Sequence, residues 1–130
     1  MPTLEALMPI APAGPDVEAA IAFYESELGF TVDFRDGSPT AMAVIQRDGV
    51  QLMLQRTDDK HWAEQTAYRI RTRDVEALYR ECQATGGKAI HPNGKLEQKP
   101  WGSTEFAILD PFGVCITFYE FPTPEAASER

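Results

Sequence analysis

Apolar residues along the chain follow two periods. Val17, Ile21, Tyr24 and Leu28 recur at helical spacing and stop at Gly29, and Val75, Leu78, Tyr79 and Cys82 do the same before Gly86-Gly87. Asp16 and Asp74 stand where a side-chain oxygen caps free helix N–H groups, and the glycines stand where a helix exits through a left-handed turn. Around these two predicted helices the period is two. Alternation predicts strands over 5–11, 30–35, 40–47, 50–56, 66–72, 88–92, 103–109 and 114–121. Asp36-Gly37, Asp48-Gly49 and Asp110-Pro111-Phe112-Gly113 are the turn signals between them.

The two halves repeat each other. Asp16-Val17-Glu18-Ala19 returns as Asp74-Val75-Glu76-Ala77, and Gly49-Val50-Gln51-Leu52-Met53-Leu54 returns in character as Gly113-Val114-Cys115-Ile116-Thr117-Phe118. The second interval is longer, and residues 91–100, broken by Pro92, Gly94 and Pro100, hold the extra chain. The predicted class is α+β, one domain over 1–130 built of two βαβββ units. The first unit is 5–56, followed by a polar linker over 57–65, the second unit over 66–121 and a tail over 122–130.

Alternation also assigns faces. Val50, Leu52 and Leu54, with Val114, Ile116 and Phe118, form apolar rows that belong under the helices, together with Tyr68 and Ile70. The opposite rows carry Gln51, Met53 and Gln55, then Cys115, Thr117 and Tyr119, with Ala67, Arg69 and Arg71 beside them. Such a mixed face is poor core and reasonable ligand lining; it is equally what the wet side of an antiparallel sheet looks like.

Composition narrows the function. Among 130 residues, 12 basic side chains face 20 acidic ones, for a formal charge of −8. That balance argues against nucleic acid and anionic membrane surfaces as partners, and no apolar run is long enough to span a bilayer. Two cysteines do not make a disulfide framework, and the N-terminal residues lack an export pattern, so a cytoplasmic location is expected. There is no GxSxG elbow, GxxxxGK loop or GxGxxG turn. The two histidines, His61 and His91, lie without metal-ligand spacing. Cys115 has no base nearby in sequence that would activate it.

Ala22-Phe23-Tyr24 with Leu28-Gly29-Phe30, and Asp110-Pro111-Phe112-Gly113, resemble the vicinal oxygen chelate superfamily over nearly the whole chain. Within it, Pro9, Asp33-Phe34 and the run from Gln98 through Pro100-Trp101-Gly102 to Glu105-Phe106 are most similar to bleomycin-resistance proteins. The resemblance implies a cupped mixed sheet with helices on its convex side, and a homodimer with possible exchange of the N-terminal arm. The superfamily's enzymes hold a divalent metal on four strand positions, which fall here on Met8, Met53, Ala67 and Thr117. Thioether, methyl and lone hydroxyl groups are not donors for Mg, Mn, Fe or Zn, so no metal, no cofactor and no catalytic residue is expected.

The expected function is metal-independent binding that sequesters a bulky, partly aromatic, cationic compound. Phe34 and Trp101 would stack on it, Asp33 and Glu105 would meet its positive charge, and Gln55 and Tyr119 would hydrogen-bond to it. Trp62 is a candidate companion plate or a loop anchor, and Arg69 and Arg71, if they face the ligand, would favour an anionic group instead. The alternatives are a diverged lyase, isomerase or dioxygenase of the same superfamily, and a metabolite-sensing module.

Overall fold

A computed structural model describes residues 1–122; of the expected tail, all but Pro122 lies outside the described residues. Both predicted βαβββ repeats form, and the class is α+β. Each repeat builds its own four-stranded mixed sheet. The chain divides into two units, Met1–Thr66 with Pro111–Val114, and Ala67–Asp110 with the chain from Cys115 on.

In the first unit, β1 (Ile10–Pro12), α1 (Val17–Leu28), β2 (Thr31–Asp36), β3 (Met42–Arg47) and β4 (Val50–Gln55) give the sheet order β1-β4-β3-β2. Only β1 and β4 run parallel. α1 begins where the Asp16 carboxylate accepts the Ala19 N–H at 3.2 Å. It ends at Gly29, whose φ of 68° is open to a residue without a Cβ. There the N–H groups of Gly29 and Phe30 return to the carbonyls of Glu25 and Tyr24. The buried stripe of Val17, Ala20, Ile21, Tyr24 and Leu28 packs on the sheet face made by Ala43, Ile45, Leu52 and Leu54. Asp48 and Gly49, with φ of 53° and 83°, close the predicted two-residue turn between β3 and β4.

The second unit comprises β5 (Ala67–Arg71), α3 (Val75–Ala84), β6 (Glu97–Gln98), β7 (Thr104–Leu109) and β8 (Cys115–Glu120), in the order β5-β8-β7-β6. Its core is an aromatic stack, Tyr79 on Phe106 at 5.1 Å and Phe106 on Phe118 at 5.3 Å. Val75, Leu78 and Cys82 of α3 are buried with it. Asp74 caps α3 through the Ala77 N–H, and Glu120 at the end of β8 accepts from the Asp74 and Val75 N–H groups at 2.9 and 3.0 Å. A sheet carboxylate thus completes the helix N-terminus.

Three expectations are corrected. The strand over 5–11 becomes Ile10–Pro12: the Pro9 carbonyl accepts the Met53 N–H at 2.9 Å, but Pro9 has no N–H to carry the ladder back toward residue 5. The linker 57–65 contains a short helix, α2 (Lys60–Glu64), capped by Asp59 through the Trp62 N–H at 3.0 Å, with Ala63 alone buried; one apolar anchor makes no period. The strand over 88–92 is absent and leaves a single bridge, Ile90 to Ile108. Pro92 interrupts it, and Gly94 then lies so close to β7 that a Cβ there would stand 2.8 Å from that of Ala107. The ladder resumes only at β6.

Candidate functional site

Each sheet has one face under its helix and one open face, and the open faces carry the candidate residues. In the first unit the pairing Phe34–Val44–Met53 forms a row across β2, β3 and β4 on the open side. Phe34 is 53% exposed there. A bulge between Val32 and Phe34 shifts the register at Asp33, whose carboxylate accepts from Gln51 Nε2 at 3.3 Å. The bulge lets Asp33 and Phe34, neighbours in sequence, serve the same face. Gln55 ends β4 exposed, its main-chain carbonyl accepting the Ala13 N–H. Asp36, opposite Met42, is a second acid on this side.

The second unit brings Trp101, Glu105 and Tyr119 together. Glu105 sits opposite Tyr119 in the β7–β8 ladder, and Arg71 sits opposite Tyr119 on the other side. Although Glu105 lies on the open face, its side chain is only 4% exposed. Arg69 reaches across the Tyr119 ring, 4.8 Å from its centroid, and grips the Glu105 carboxylate with two nitrogens, at 2.7 Å to Oε2 and 3.3 Å to Oε1. Trp101 Nε1–H donates to the same Oε2 at 3.1 Å, and the Ser103 hydroxyl donates to it as well.

The Arg69 guanidinium, helped by the Ser103 and Trp101 donors, outweighs the cost of burial and holds the Glu105 carboxyl down at about 2. Trp101 tops a tight turn in which the Lys99 N–H meets the Ser103 carbonyl at 2.7 Å and Gly102 takes φ of 102°. Trp101 is 60% exposed, its ring held at the N–H edge.

The expected companion charges therefore differ. Asp33 stands at the surface with an amide partner, whereas Glu105 has its charge matched by Arg69. Sequence reading missed Ser103 and Gln51 as partners of these acids. For Ser103 the available signal was spacing, since residues two apart in extended chain share a face; Gln51 reaches Asp33 from β4 to β2, a contact that no spacing announces. Trp62 helps cap and close α2, its carbonyl taking the Thr66 hydroxyl at 2.6 Å. Burial pushes the Cys115 thiol up, against the nucleophile reading. His91 Nδ1 accepts the Asn93 N–H at 3.0 Å, a local turn contact.

The metal expected of many superfamily members finds no fitting donors. Met53 and Thr117 occupy the β4 and β8 positions, Ala67 the start of β5, and Met8 precedes β1. Among the described residues no group of three or more His, Cys, Asp or Glu is placed to hold an ion. In those residues, too, no helix is long and apolar enough to cross a membrane.

Paired βαβββ units, with aromatic and polar side chains on the open sheet faces, define a class, and the sequence agrees. The chain belongs to the Glyoxalase/Bleomycin resistance protein/Dioxygenase superfamily, whose family model matches residues 8–118. It is 28% identical to bleomycin resistance proteins of Geobacillus stearothermophilus and Staphylococcus aureus, over 87% of this chain and 94% of theirs. Among solved structures it is similar to the bleomycin-binding protein of bleomycin-producing Streptomyces verticillus in complex with copper(II)-bleomycin, with a TM-score of 0.76 and 27% identity over 95% of this chain and all of that one. The bleomycin resistance determinant encoded on transposon Tn5 gives a TM-score of 0.77 at 26% identity, over 92% of this chain and all of that one.

Proposed function

We propose that this protein binds and sequesters a bulky, partly aromatic compound of the bleomycin type without transforming it, and that it does so without a metal of its own. The observation that carries this reading is an exposed aromatic ring on each open face, Phe34 at 53% and Trp101 at 60%, in a chain whose relatives of known structure include bleomycin complexes. Exposed rings on these mixed faces gain by covering a planar guest, about 1 kcal/mol per well-oriented contact beyond area burial. Asp33 attracts positive charge on the guest, Gln55 and Tyr119 offer hydrogen bonds, and Glu105 holds Trp101 in place. Sequestration needs affinity alone, so the lack of fitting metal donors at Met8, Met53, Ala67 and Thr117 is no obstacle.

The working form is a homodimer. Leu4 and Leu7 are 100% and 85% exposed, and an apolar arm of that kind is suited to lie on a second copy of the chain. A cytoplasmic location suits the two free cysteines, Cys82 and Cys115. Calorimetry with metal-free and copper-loaded bleomycin tests the function. Binding of either form, weakened at least tenfold by Trp101→Ala, supports it; no heat from wild type at high micromolar concentration removes the drug assignment. Sedimentation of wild type against a chain lacking residues 1–8 tests the dimer, which the truncation should weaken.

A further inference from the structure

The second unit's open face holds more cation than anion. Arg69, Arg71 and Lys99 stand against Glu105 and Glu97, and Glu97 is itself paired with Lys99 at 3.1 Å. Glu105 is consumed by Arg69. Arg71, its guanidinium 6.0 Å from the Phe121 ring centroid, makes no ion pair among the described residues. Among the described residues the balance of this face is therefore positive, on a chain whose overall charge is −8.

Arg69 is not merely present but held. Tyr119 lies under its guanidinium, Glu105 fixes one edge, and the side chain is still 52% exposed. A guanidinium has five N–H donors and the carboxylate takes two, so the remaining donors point away from Glu105. An arginine already ordered by its neighbours loses less freedom on meeting an acceptor. The Trp101 ring is fixed by the same carboxylate oxygen, so a stacking surface and a spare set of donors share one support.

We propose that Glu105 is a positioning residue, and that Trp101, Arg69 and Arg71 form a subsite for a planar group bearing a carboxylate or similar anionic acceptor. This deepens the binding function proposed above and rests on it for the role of Trp101. The subsite recognises an anionic or acceptor-rich group; the acids Asp33 and Asp36 belong to the first unit's own open face. The reading of Glu105 as the counter-charge for a cationic guest is replaced.

The test uses two probes of one shape, 2-naphthoate and 2-naphthylmethylammonium, titrated into 15N-labelled protein and read at the Trp101 indole N–H resonance, assigned with a Trp62→Phe variant. Wild type should bind the carboxylate at least fivefold more tightly than the ammonium. Arg69→Gln exposes the Glu105 charge, so it should abolish or invert that preference and move the unliganded indole resonance. Arg69→Lys keeps the charge without the two-point grip, so it should keep the sign of the preference with a smaller ratio; it also serves if Arg69→Gln fails to fold. Equal or tighter binding of the ammonium by wild type, or no binding of either probe, overturns the proposal. A protein that binds 2-naphthoate in this way but gives no heat with bleomycin loses the drug assignment and keeps the subsite. One that binds bleomycin yet prefers the ammonium loses the subsite alone.

Discussion

The two units are built on the same plan and treat their acids in opposite ways. Their helix-facing rows match, Leu52 and Leu54 in one and Ile116 and Phe118 in the other, all buried. Their open faces do not. Where the first unit has Met53 and Gln55, the second has Thr117 and Tyr119. The first leaves Asp33 at the surface beside an amide, and the second buries Glu105 under a guanidinium, an indole and a hydroxyl. A buried carboxylate survives only if its charge and lone pairs are met, so the second face had to supply donors that then hold a ring and a cation in place. Packing constrains one side of a sheet closely and leaves the other free to differ between the two units.

The largest expected effect is on the matched rows. Phe118→Ala should cost about 3–5 kcal/mol in urea unfolding and Leu54→Ala about 2–5. The Phe118 loss should be the larger, because it also removes the 5.3 Å stack on Phe106. Equal losses, despite the larger volume that Phe118→Ala removes, would mean that the aromatic stack adds no stability.

Next comes the buried acid. At neutral pH Glu105→Gln should destabilise by about 1–3 kcal/mol, through the lost charge-assisted hydrogen bonds. The pH dependence is the sharper readout. With the carboxyl held at about 2 in the fold against an ordinary 4.5, its contribution is complete above about 4.5 and disappears as pH falls toward 2. Wild type and variant should therefore converge in stability between those values. An unchanged gap at pH 2 would show that the Arg69 pair is not its source.

Much of this was legible in the sequence. The repeated Asp-Val-Glu-Ala, the helical stripes and the glycine-led strands gave both βαβββ units and the assignment of faces, because helix and strand periods report burial directly. Arg69 and Glu105 both fell on the open side, yet nothing in their spacing says that a side chain on β5 crosses Tyr119 to reach β7. That contact depends on register between strands far apart in the chain. Lys88–Pro92 misled because its apolar residues fit a strand while Pro92 and Gly94 prevent a ladder, and α2 was hidden because it buries only Ala63.

Smaller differences should appear at the helix caps, which look alike in sequence. Asp16 caps α1 at φ of −120°, while Asp74 caps α3 at φ of 61°, a left-handed conformation. Asp16→Ala should cost about 1 kcal/mol. Asp74→Ala should cost more, since a Cβ without a hydrogen-bonding side chain adds roughly 1 kcal/mol of backbone strain there. Asp74→Gly should recover most of that excess, whereas Asp16→Gly should leave a cost of only a few tenths. A thermal unfolding series of the four variants checks the order.

The smallest stability effect belongs to the acid that the first unit leaves at its surface. Asp33 accepts one bond of 3.3 Å from Gln51 and is exposed, so Asp33→Asn should change unfolding free energy by less than about 0.5 kcal/mol. Its effect on binding should run the other way from its effect on folding. A surface carboxylate keeps its charge available to a guest, so Asp33→Asn should weaken a cationic aromatic probe several-fold in low salt, and by less as salt screens the attraction. Glu105→Gln leaves the Arg69 charge unmatched and loosens Trp101, so it should weaken the same probe as well, but together with a loss of stability that Asp33→Asn does not show. If the two variants behave alike in both measurements, the contrast between a free acid and a positioning acid fails, and both carboxylates serve the same role.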